Sequence, residues 1–422
     1  MISRFGLVYL AIFIAIPGLL TFASAGHETA PNLAALLAGT IAFSLMTANV
    51  VLATRLRVLE QWIGGLDRVY EVHKWTGALV LGLIVAHTQI GFEQIEGVLP
   101  PGSLSETAVE VGELALYPFI ALLLLSLIKR IPKVPFEIPY NIWRWSHRLI
   151  GVIFMMLAFH QLFVKVPFGP SDLISQWMIA MAAVGLLALI WTWIQNPLRT
   201  RGFTVSEVEQ LPGATRVLAT PTGRGLRVKP GQFAFFAAKK SGLREPHPFT
   251  VSGTGEGGTI EFSIRPLGDF TRRLRDKLAV GDKLSIQGGY GTFRPQDARM
   301  PQLWVAGGIG ITPFLAAAEA LAPDMEGEIT LIHAVPSQSA AVGADRLRDV
   351  ERRVPGFSYH LHASDTASRL TGAIVLDHLP FDLSQADMWF CGPAPLRKAL
   401  QSQFKAAGKS PRRIHFERFE FR

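Results

Sequence analysis

Along the first 198 residues, long apolar runs alternate with short polar connections, and six of the runs reach the roughly 20 residues that a helix needs to cross a bilayer. They fall at about 5–25, 33–53, 73–92, 112–128, 147–164 and 173–195. After Arg201 the period shortens. Alternating, β-rich runs at 203–208, 215–219, 233–238, 249–252, 259–264 and 283–287, punctuated by Gly and Pro, predict a small antiparallel barrel. From about Gln302, strands at 303–306, 329–334, 357–362 and 388–390 alternate with helices from Pro313, near Asp345 and from about Pro395. That alternation predicts a parallel sheet with crossovers. The expected fold is multidomain: an all-α six-helix transmembrane bundle over 1–198, an antiparallel β-barrel over 199–299, and an α/β parallel-sheet nucleotide-binding domain over 300–422.

Charge divides at the same place. Of the 41 Lys and Arg and the 33 Asp and Glu, 11 of each lie before position 199, so the net charge of +8 belongs entirely to the second part. Basic residues mark one side of the bundle: Arg55, Arg57 and Arg68 after the second span, Lys129, Arg130, Lys133 and Arg144 between the fourth and fifth, Arg199 and Arg201 after the sixth. The opposite loops hold Glu28, Glu93, Glu96, Glu106, Glu110 and Asp172, with Lys165 the lone base. The positive-inside rule then puts both termini and the soluble domains in the cytoplasm, on a multi-pass protein of the inner (plasma) membrane. Basic charge beside an apolar half suits a lipid bilayer with anionic headgroups better than nucleic acid, and no nucleic-acid partner is expected. Ala23-Ser24-Ala25 resembles a signal-peptidase site, and cleavage there would leave five spans with the same C-terminal orientation. One cysteine, Cys391, excludes disulfide frameworks, thiolate zinc sites and four-cysteine iron–sulfur clusters. Redox chemistry would therefore use other ligands or organic cofactors.

Five of the 11 histidines lie in the apolar half, and four of them occupy two spans: His73 and His87 on the third, His147 and His160 on the fifth. Ionisable residues inside a bilayer are costly and are functional by default. The 14-residue step from His73 to His87 covers about 21 Å with about 40° of drift, so both rings share a face. The 13-residue step from His147 to His160 covers roughly 19.5 Å but drifts about 140° on an ideal helix, which calls for a tightened turn or bend. Pairing by depth sets His73 with His147 and His87 with His160. Facing neutral imidazoles suit axial ligation of haem iron, and filled axial sites favour electron transfer. Zinc prefers a closed tetrahedral set, which two separate pairs do not supply. Arg144, Arg148 and Lys74 lie at the inner level, as counter-charges for haem propionates or as ordinary positive-inside residues.

In the second half, Trp304-Val305-Ala306-Gly307-Gly308-Ile309-Gly310-Ile311-Thr312-Pro313 reads as strand, glycine turn and helix start. Glycines let backbone approach a pyrophosphate, Thr312 is a possible cap, and Pro313 suits the first helical position. Upstream, His247-Pro248-Phe249-Thr250 precedes Arg265-Pro266-Leu267-Gly268-Asp269-Phe270-Thr271, which ends a strand and opens a basic helix. Its amides, with Thr271 and Arg265, could hold a second pyrophosphate, although a hydrophobic strand and an ordinary capped helix explain the same residues.

Together these residues resemble the ferric reductase and NADPH oxidase superfamily, a ferric-reductase-like membrane domain fused to a ferredoxin-reductase-type FAD and NAD(P) module. The similarity covers nearly the whole chain: the His spacings of 14 and 13, His-Pro-Phe-Thr, Gly-Asp-Phe-Thr, Gly-Gly-Ile-Gly-Ile-Thr-Pro, Cys391-Gly392-Pro393 and an aromatic tail occur in the family's order. The resemblance implies FAD, two b-type haems held by His73, His87, His147 and His160, and NADPH or NADH as donor. It implies that His247, Pro248, Phe249 and Thr250 contact the flavin ring, with Thr250 near the redox-active nitrogen. Arg265, Gly268 and Thr271 would take the FAD pyrophosphate, and Gly308, Gly310, Thr312 and Pro313 the NAD(P) pyrophosphate. Cys391, Gly392 and Pro393 would lie by the nicotinamide, and Phe421, or else Phe419, would cover the flavin until nicotinamide displaces it. Thr250, Cys391 and Phe421 are thus the catalytic candidates. A flavin converts a two-electron hydride into single electrons for haem iron, so the implied route runs from NAD(P)H to FAD, the inner haem, the outer haem and a small extracytoplasmic acceptor. Gly91 stands where the oxygen-reducing oxidases carry a further His, which favours a ferric chelate over O2 as acceptor. Arg346 and Arg369 are the candidates for reading a 2′-phosphate. The rival from another class is a non-catalytic haem- and nucleotide-binding membrane sensor.

Overall fold

The computed structural model describes residues 3–90, 101–127, 140–164, 168–295 and 300–417, and the chain divides into two units between Asn196 and Pro197. Phe419, Phe421, Gly91, Glu93, Glu96, Lys129, Arg130, Lys133 and Lys165 lie outside the described residues.

The first unit contains α1 (Arg4–Ala25), α2 (Ala30–Ala53), a short α3 (Arg57–Ile63), α4 (Leu66–Gln89), α5 (Leu104–Leu127), α6 (Tyr140–Phe163) and α7 (Leu173–Arg199). All but α3 are long and apolar enough to cross a membrane. Helices α4, α5 and α6 begin seven or eight residues before the apolar runs that announce them. Their first turns carry Asp67, Arg68 and Glu71, Glu106 and Glu110, and Arg144, polar residues that propagate a helix without lowering its energy in lipid. Hydropathy therefore marks the segment suited to lipid, and the hydrogen-bonded helix runs on beyond it.

Helix α2 is the most enclosed, with an almost continuous buried run from Ala42 to Ala48. The Tyr9 hydroxyl donates to the Ala48 carbonyl and Thr21 pairs with Thr40, tying α1 to α2. On another side Trp177 donates to Ser44 and Thr47 to the Met181 carbonyl, tying α7 to α2. Phe43 and Phe154 stack at 5.6 Å between α2 and α6. Gly185 on α7 admits Phe154, because a Cβ there would stand 2.2 Å from the ring.

The second unit opens with a closed barrel of six antiparallel strands, β1 (Arg201–Gln210), β2 (Thr215–Pro221), β3 (Phe233–Ala238), β4 (His247–Thr254), β5 (Ile260–Ile264) and β6 (Lys283–Tyr290), in the order β1-β2-β5-β4-β3-β6. Helix α8 (Asp269–Lys277) follows β5 and seals the barrel with Phe270 and Leu274. The nucleotide-type domain comprises β7 (Gln302–Gly307), α9 (Thr312–Glu319), β8 (Ile329–Val335), α10 (Ala344–Arg353), β9 (Phe357–Ala363), α11 (Gly372–Asp377), β10 (Asp387–Cys391), α12 (Ala394–Ala406) and β11 (Arg413–Phe416). Its sheet is wholly parallel in the order β11-β10-β7-β8-β9. The first strand is central, so the chain winds one way to β8 and β9 and the other way to β10 and β11. Its carboxyl end is a topological switch point, where open α/β sheets bind their ligands.

Candidate functional site

In the membrane unit, α4 packs on α2 and α6 packs on α5, whereas α4 and α6 barely touch each other. The four intramembrane histidines project from those two helices. Nδ1 of His73 lies 3.2 Å from the Asn49 carbonyl and Nδ1 of His87 2.9 Å from the Ala35 carbonyl, both on α2. Nδ1 of His160 lies 2.8 Å from the Ala108 carbonyl and Nδ1 of His147 3.0 Å from the Ser126 hydroxyl, both on α5. Ser126 in turn donates to the Leu122 carbonyl, so its oxygen is left to accept from His147. With Nδ1 so engaged, any metal ligation falls to Nε2, the usual arrangement for a histidine ligand and its supporting partner.

His87 and His160 approach the helix backbone so closely that only glycine fits beside each ring. A Cβ at Gly39 would stand 2.8 Å from His87 Nδ1, and one at Gly112 would stand 2.5 Å from His160 Nδ1. At the other level the His73 and His147 ring centres are 5.9 Å apart, and Trp143 stacks on His147. Two imidazoles on opposite sides of one metal ion, each nitrogen about 2 Å away, would have ring centres roughly 6 Å apart. The residues present therefore fit a bis-histidine centre. His87 and His160 lie within electrostatic range of each other, so the structure brings together the pairs expected from depth. The 13-residue step needs no break: α6 is continuous, contains no proline, and both of its rings lean on α5. Among the described residues no group of three or more His, Cys, Asp or Glu could hold a metal ion.

In the barrel, β4 changes partner halfway. His247 to Thr250 pair with β3 alone, and pairing with β5 begins only at Val251. The first half of β4 thus has one edge without a neighbouring strand among the described residues. That is where Pro248, lacking an N–H, costs nothing. Helix α8 begins beside this edge: the Phe270 ring lies tilted against His247 at 3.9 Å and stacks on Phe249 at 6.2 Å. Thr271 does not point an open hydroxyl outward, because Leu267 and Gly268 each donate their N–H to it at 2.9 Å. It shapes the turn, and the helix's own first amides remain for an anion.

At the switch point the turn after β7 is a 3-10 segment, Gly308–Ile311, and α9 starts at Thr312. Thr312 is not the cap; it is the first helical residue, Pro313 the second, and the Thr312 hydroxyl donates to the Ile309 carbonyl. Gly310 faces the Cys391–Gly392 backbone. A Cβ there would stand 2.2 Å from the Cys391 carbonyl oxygen, and one at Gly307 2.6 Å from Pro393. These glycines let the β7 turn lock against Cys391-Gly392-Pro393. Gly308, at φ +56°, faces instead toward Arg265, whose Nη1 would lie 3.7 Å from an added Cβ. The two predicted pyrophosphate sites are therefore neighbours. Cys391 is fully enclosed, and burial together with the charge on Glu417 pushes its thiol well up, so it stays protonated. Arg346 is engaged by Glu261 and Glu319, while Arg369 is exposed.

Two groups escaped sequence reasoning. His333, on β8, bonds the Gly308 carbonyl through Nε2 and the Tyr359 hydroxyl through Nδ1, both at 3.1 Å. A histidine in the largely apolar run Ile329–Val335 was the available signal. Ser126 gave none, since a serine near a helix end is commonplace.

Three family models match in chain order: ferric reductase like transmembrane component over residues 38–158, FAD-binding domain over 201–304 and oxidoreductase NAD-binding domain over 304–402. The chain is accordingly an NAD(P)H-dependent flavoprotein oxidoreductase with a membrane-embedded domain. Its architecture is that of the ferric reductase and NADPH oxidase superfamily. Toluate 1,2-dioxygenase electron transfer component of Pseudomonas putida is 29% identical over 225 residues, 51% of this chain and 66% of that protein. The reductase subunit of an Amycolatopsis aromatic O-demethylase is 29% identical over 238 residues, 54% of this chain and 71% of that one. A flavohemoglobin structure from Malassezia yamatoensis covers 99% of this chain and 100% of its own at a TM-score of 0.50 and 17% identity, a likeness of fold.

Two outcomes follow from the turn. Gly310→Ala should weaken NAD(P)H binding more than Gly308→Ala. The first drives a methyl into backbone, whereas the second costs about 1–2 kcal/mol of left-handed strain and makes only an ordinary van der Waals contact with the Arg265 side chain. Michaelis constants of the two variants decide it. Burial pushes the His333 imidazole down to about 4, with the Gly308 bond opposing. The unfolded group titrates near 6.5, so the contribution is intact above that pH and falls as the pH drops toward 4, by about 1.4 kcal/mol per unit. The melting temperature should fall across that window in the wild type, and less in His333→Gln.

Proposed function

We propose that the chain passes electrons from cytoplasmic NAD(P)H through FAD and two b-type haems to an extracytoplasmic acceptor, a ferric chelate in the first instance, as a multi-pass protein of the plasma membrane. The observation that carries this reading is the set of four intramembrane histidines, each with Nδ1 engaged by a neighbouring helix and one facing pair at 5.9 Å. One NAD(P)H reduces two ferric ions and releases one proton, so the overall reaction balances. When bound, the flavin supplies the change from paired to single electrons, and each haem supplies a one-electron carrier fixed in the membrane.

The chain's own residues do the positioning. His73 with His147, and His87 with His160, offer Nε2 from opposite sides of the space between α4 and α6. The open edge of β4 receives the flavin ring, with Thr250 at its reactive side, while Arg265 and the start of α8 bind its pyrophosphate. Gly308 lets a dinucleotide pyrophosphate approach the end of β7, and Gly307, Gly310, Gly392 and Pro393 hold that turn in shape. Cys391 acts there as a neutral wall.

A reduced-minus-oxidised visible spectrum of the purified protein tests the reading, with two b-type haems expected per FAD. His87→Leu should lose one haem and stop ferric reduction while NAD(P)H still bleaches the flavin. Full haem content and turnover in that variant would sink the assignment. Gly112→Val should cause the same loss without altering a ligand, because it displaces His160. Ser126→Ala should keep both haems and raise the midpoint potential of one, since His147 loses the acceptor that makes it more basic. Two unchanged potentials would show that the hydroxyl does not tune the ligand. Oxygen uptake outrunning ferric reduction, and sensitive to superoxide dismutase, would move the acceptor to O2.

A further inference from the structure

We propose that Arg346 is a positioning residue that fastens the nucleotide-type domain to the flavin barrel in the register hydride transfer needs, and that it does not read the dinucleotide's 2′-phosphate. The inference rests on the reading of β4 as the flavin strand and of the β7 turn as the dinucleotide site.

Arg346 lies in the first turn of α10, which follows Gly343 at φ +72°. A Cβ at Gly343 would stand 2.4 Å from Leu315, so the glycine lets α10 start hard against α9. From there the guanidinium spans two domains. Its Nε donates to Glu319, the last residue of α9, at 2.6 Å, and its Nη1 donates to Glu261 on β5 at 2.7 Å. Glu261 is 8% exposed and also accepts from Ser252 of β4 and from Arg216 of β2, each at 2.9 Å. Ser252 sits at the irregularity where β4 passes from Val251 to Gly253, and a Cβ at Gly253 would come within 3.1 Å of Arg346 Nη2. The strand carries a glycine where the arginine lands. Burial would raise the Glu261 carboxyl, but bonds and charge from Arg346, then Arg216 and Ser252, leave it below the ordinary range, so the pair stays ionised.

The network begins two residues from Thr250 and ends on the helix that the dinucleotide turn opens. It therefore joins the two surfaces that must meet when a hydride, with its electron pair, leaves the nicotinamide and the flavin takes it up with one proton. Reacting atoms need to lie about 3–3.5 Å apart, and a displacement of about 1 Å can cost on the order of 100-fold in rate. Removing Arg346 leaves Glu261 paired with Arg216 and Ser252, so the barrel keeps its internal bonds. What is lost is the connection.

Stopped-flow flavin reduction of the full chain by NADH and by NADPH tests this, with Arg346→Gln, Arg346→Lys, Glu319→Gln and, as a control on the same helix, Arg348→Gln. Arg346→Gln should slow reduction at saturating dinucleotide by roughly 10- to 100-fold, equally for both donors, with dinucleotide affinity and FAD content little changed. Arg346→Lys should recover part of the rate, because it keeps the charge without the two-pronged geometry. Arg348→Gln should do nothing. Hydrogen exchange in α9 and α10 should rise in Arg346→Gln and stay constant in β1 and β2. Loss of NADPH affinity alone would make Arg346 a phosphate reader and overturn the proposal, as would unchanged rates. If Arg346→Gln loses FAD, Glu319→Gln decides: it must show the same slowing, and a wild-type rate there overturns the proposal. A wild-type flavin that neither donor reduces overturns the parent reading, and this inference with it.

Discussion

An imidazole inside a bilayer has no water to satisfy it, so its second nitrogen has to find an acceptor within the protein. That requirement organises the membrane unit. Helices α2 and α5 supply acceptors to the rings of α4 and α6, and Nδ1 of each ring is thereby engaged within the protein. Gly39 and Gly112 are consequences of the same requirement, since any side chain there would hold the ring away from its carbonyl. Three of the four acceptors are backbone and cannot be deleted by substitution. Only at Ser126 can an acceptor itself be removed by a side-chain change.

The second unit solves a different problem, that of bringing its FAD-binding and NAD-binding domains together. The barrel does it by leaving half of β4 without a strand on one edge, and the parallel sheet does it by packing one glycine turn against another. Arg265 beside Gly308 brings the segment after β5 up to the turn after β7. The Glu261–Arg346–Glu319 chain then holds the convergence in register.

Most of the fold was legible in the sequence because its signals are local. Lipid-length apolar runs, period-two strands and a strand–glycine–helix passage each announce themselves within about 20 residues. Helix starts were less legible, since polar first turns such as Leu66 to Glu71 carry no hydropathy signal. The histidine pairing was legible in depth, while its hydrogen-bond partners were not, because they lie 21 to 52 residues away on other helices. The close packing of Gly310 was not legible for a related reason. A glycine motif shows that backbone is approached closely but not by what, and here the approaching group is the Cys391 carbonyl. Arg346 is on sequence alone one of two candidates to reach a 2′-phosphate, and its carboxylate partners, 27 and 85 residues upstream, leave no local signal.

The most direct test of transmembrane electron transfer is a sided assay in proteoliposomes. The protein is reconstituted, NADPH is supplied only to the face carrying the flavin and nucleotide domains, and a membrane-impermeant ferric chelate is enclosed on the other side. Ferrous iron should appear in the enclosed compartment at two ions per NADPH consumed, with no dependence on a soluble carrier. NADPH oxidation that proceeds at full rate while the enclosed iron stays ferric would contradict transfer across the membrane.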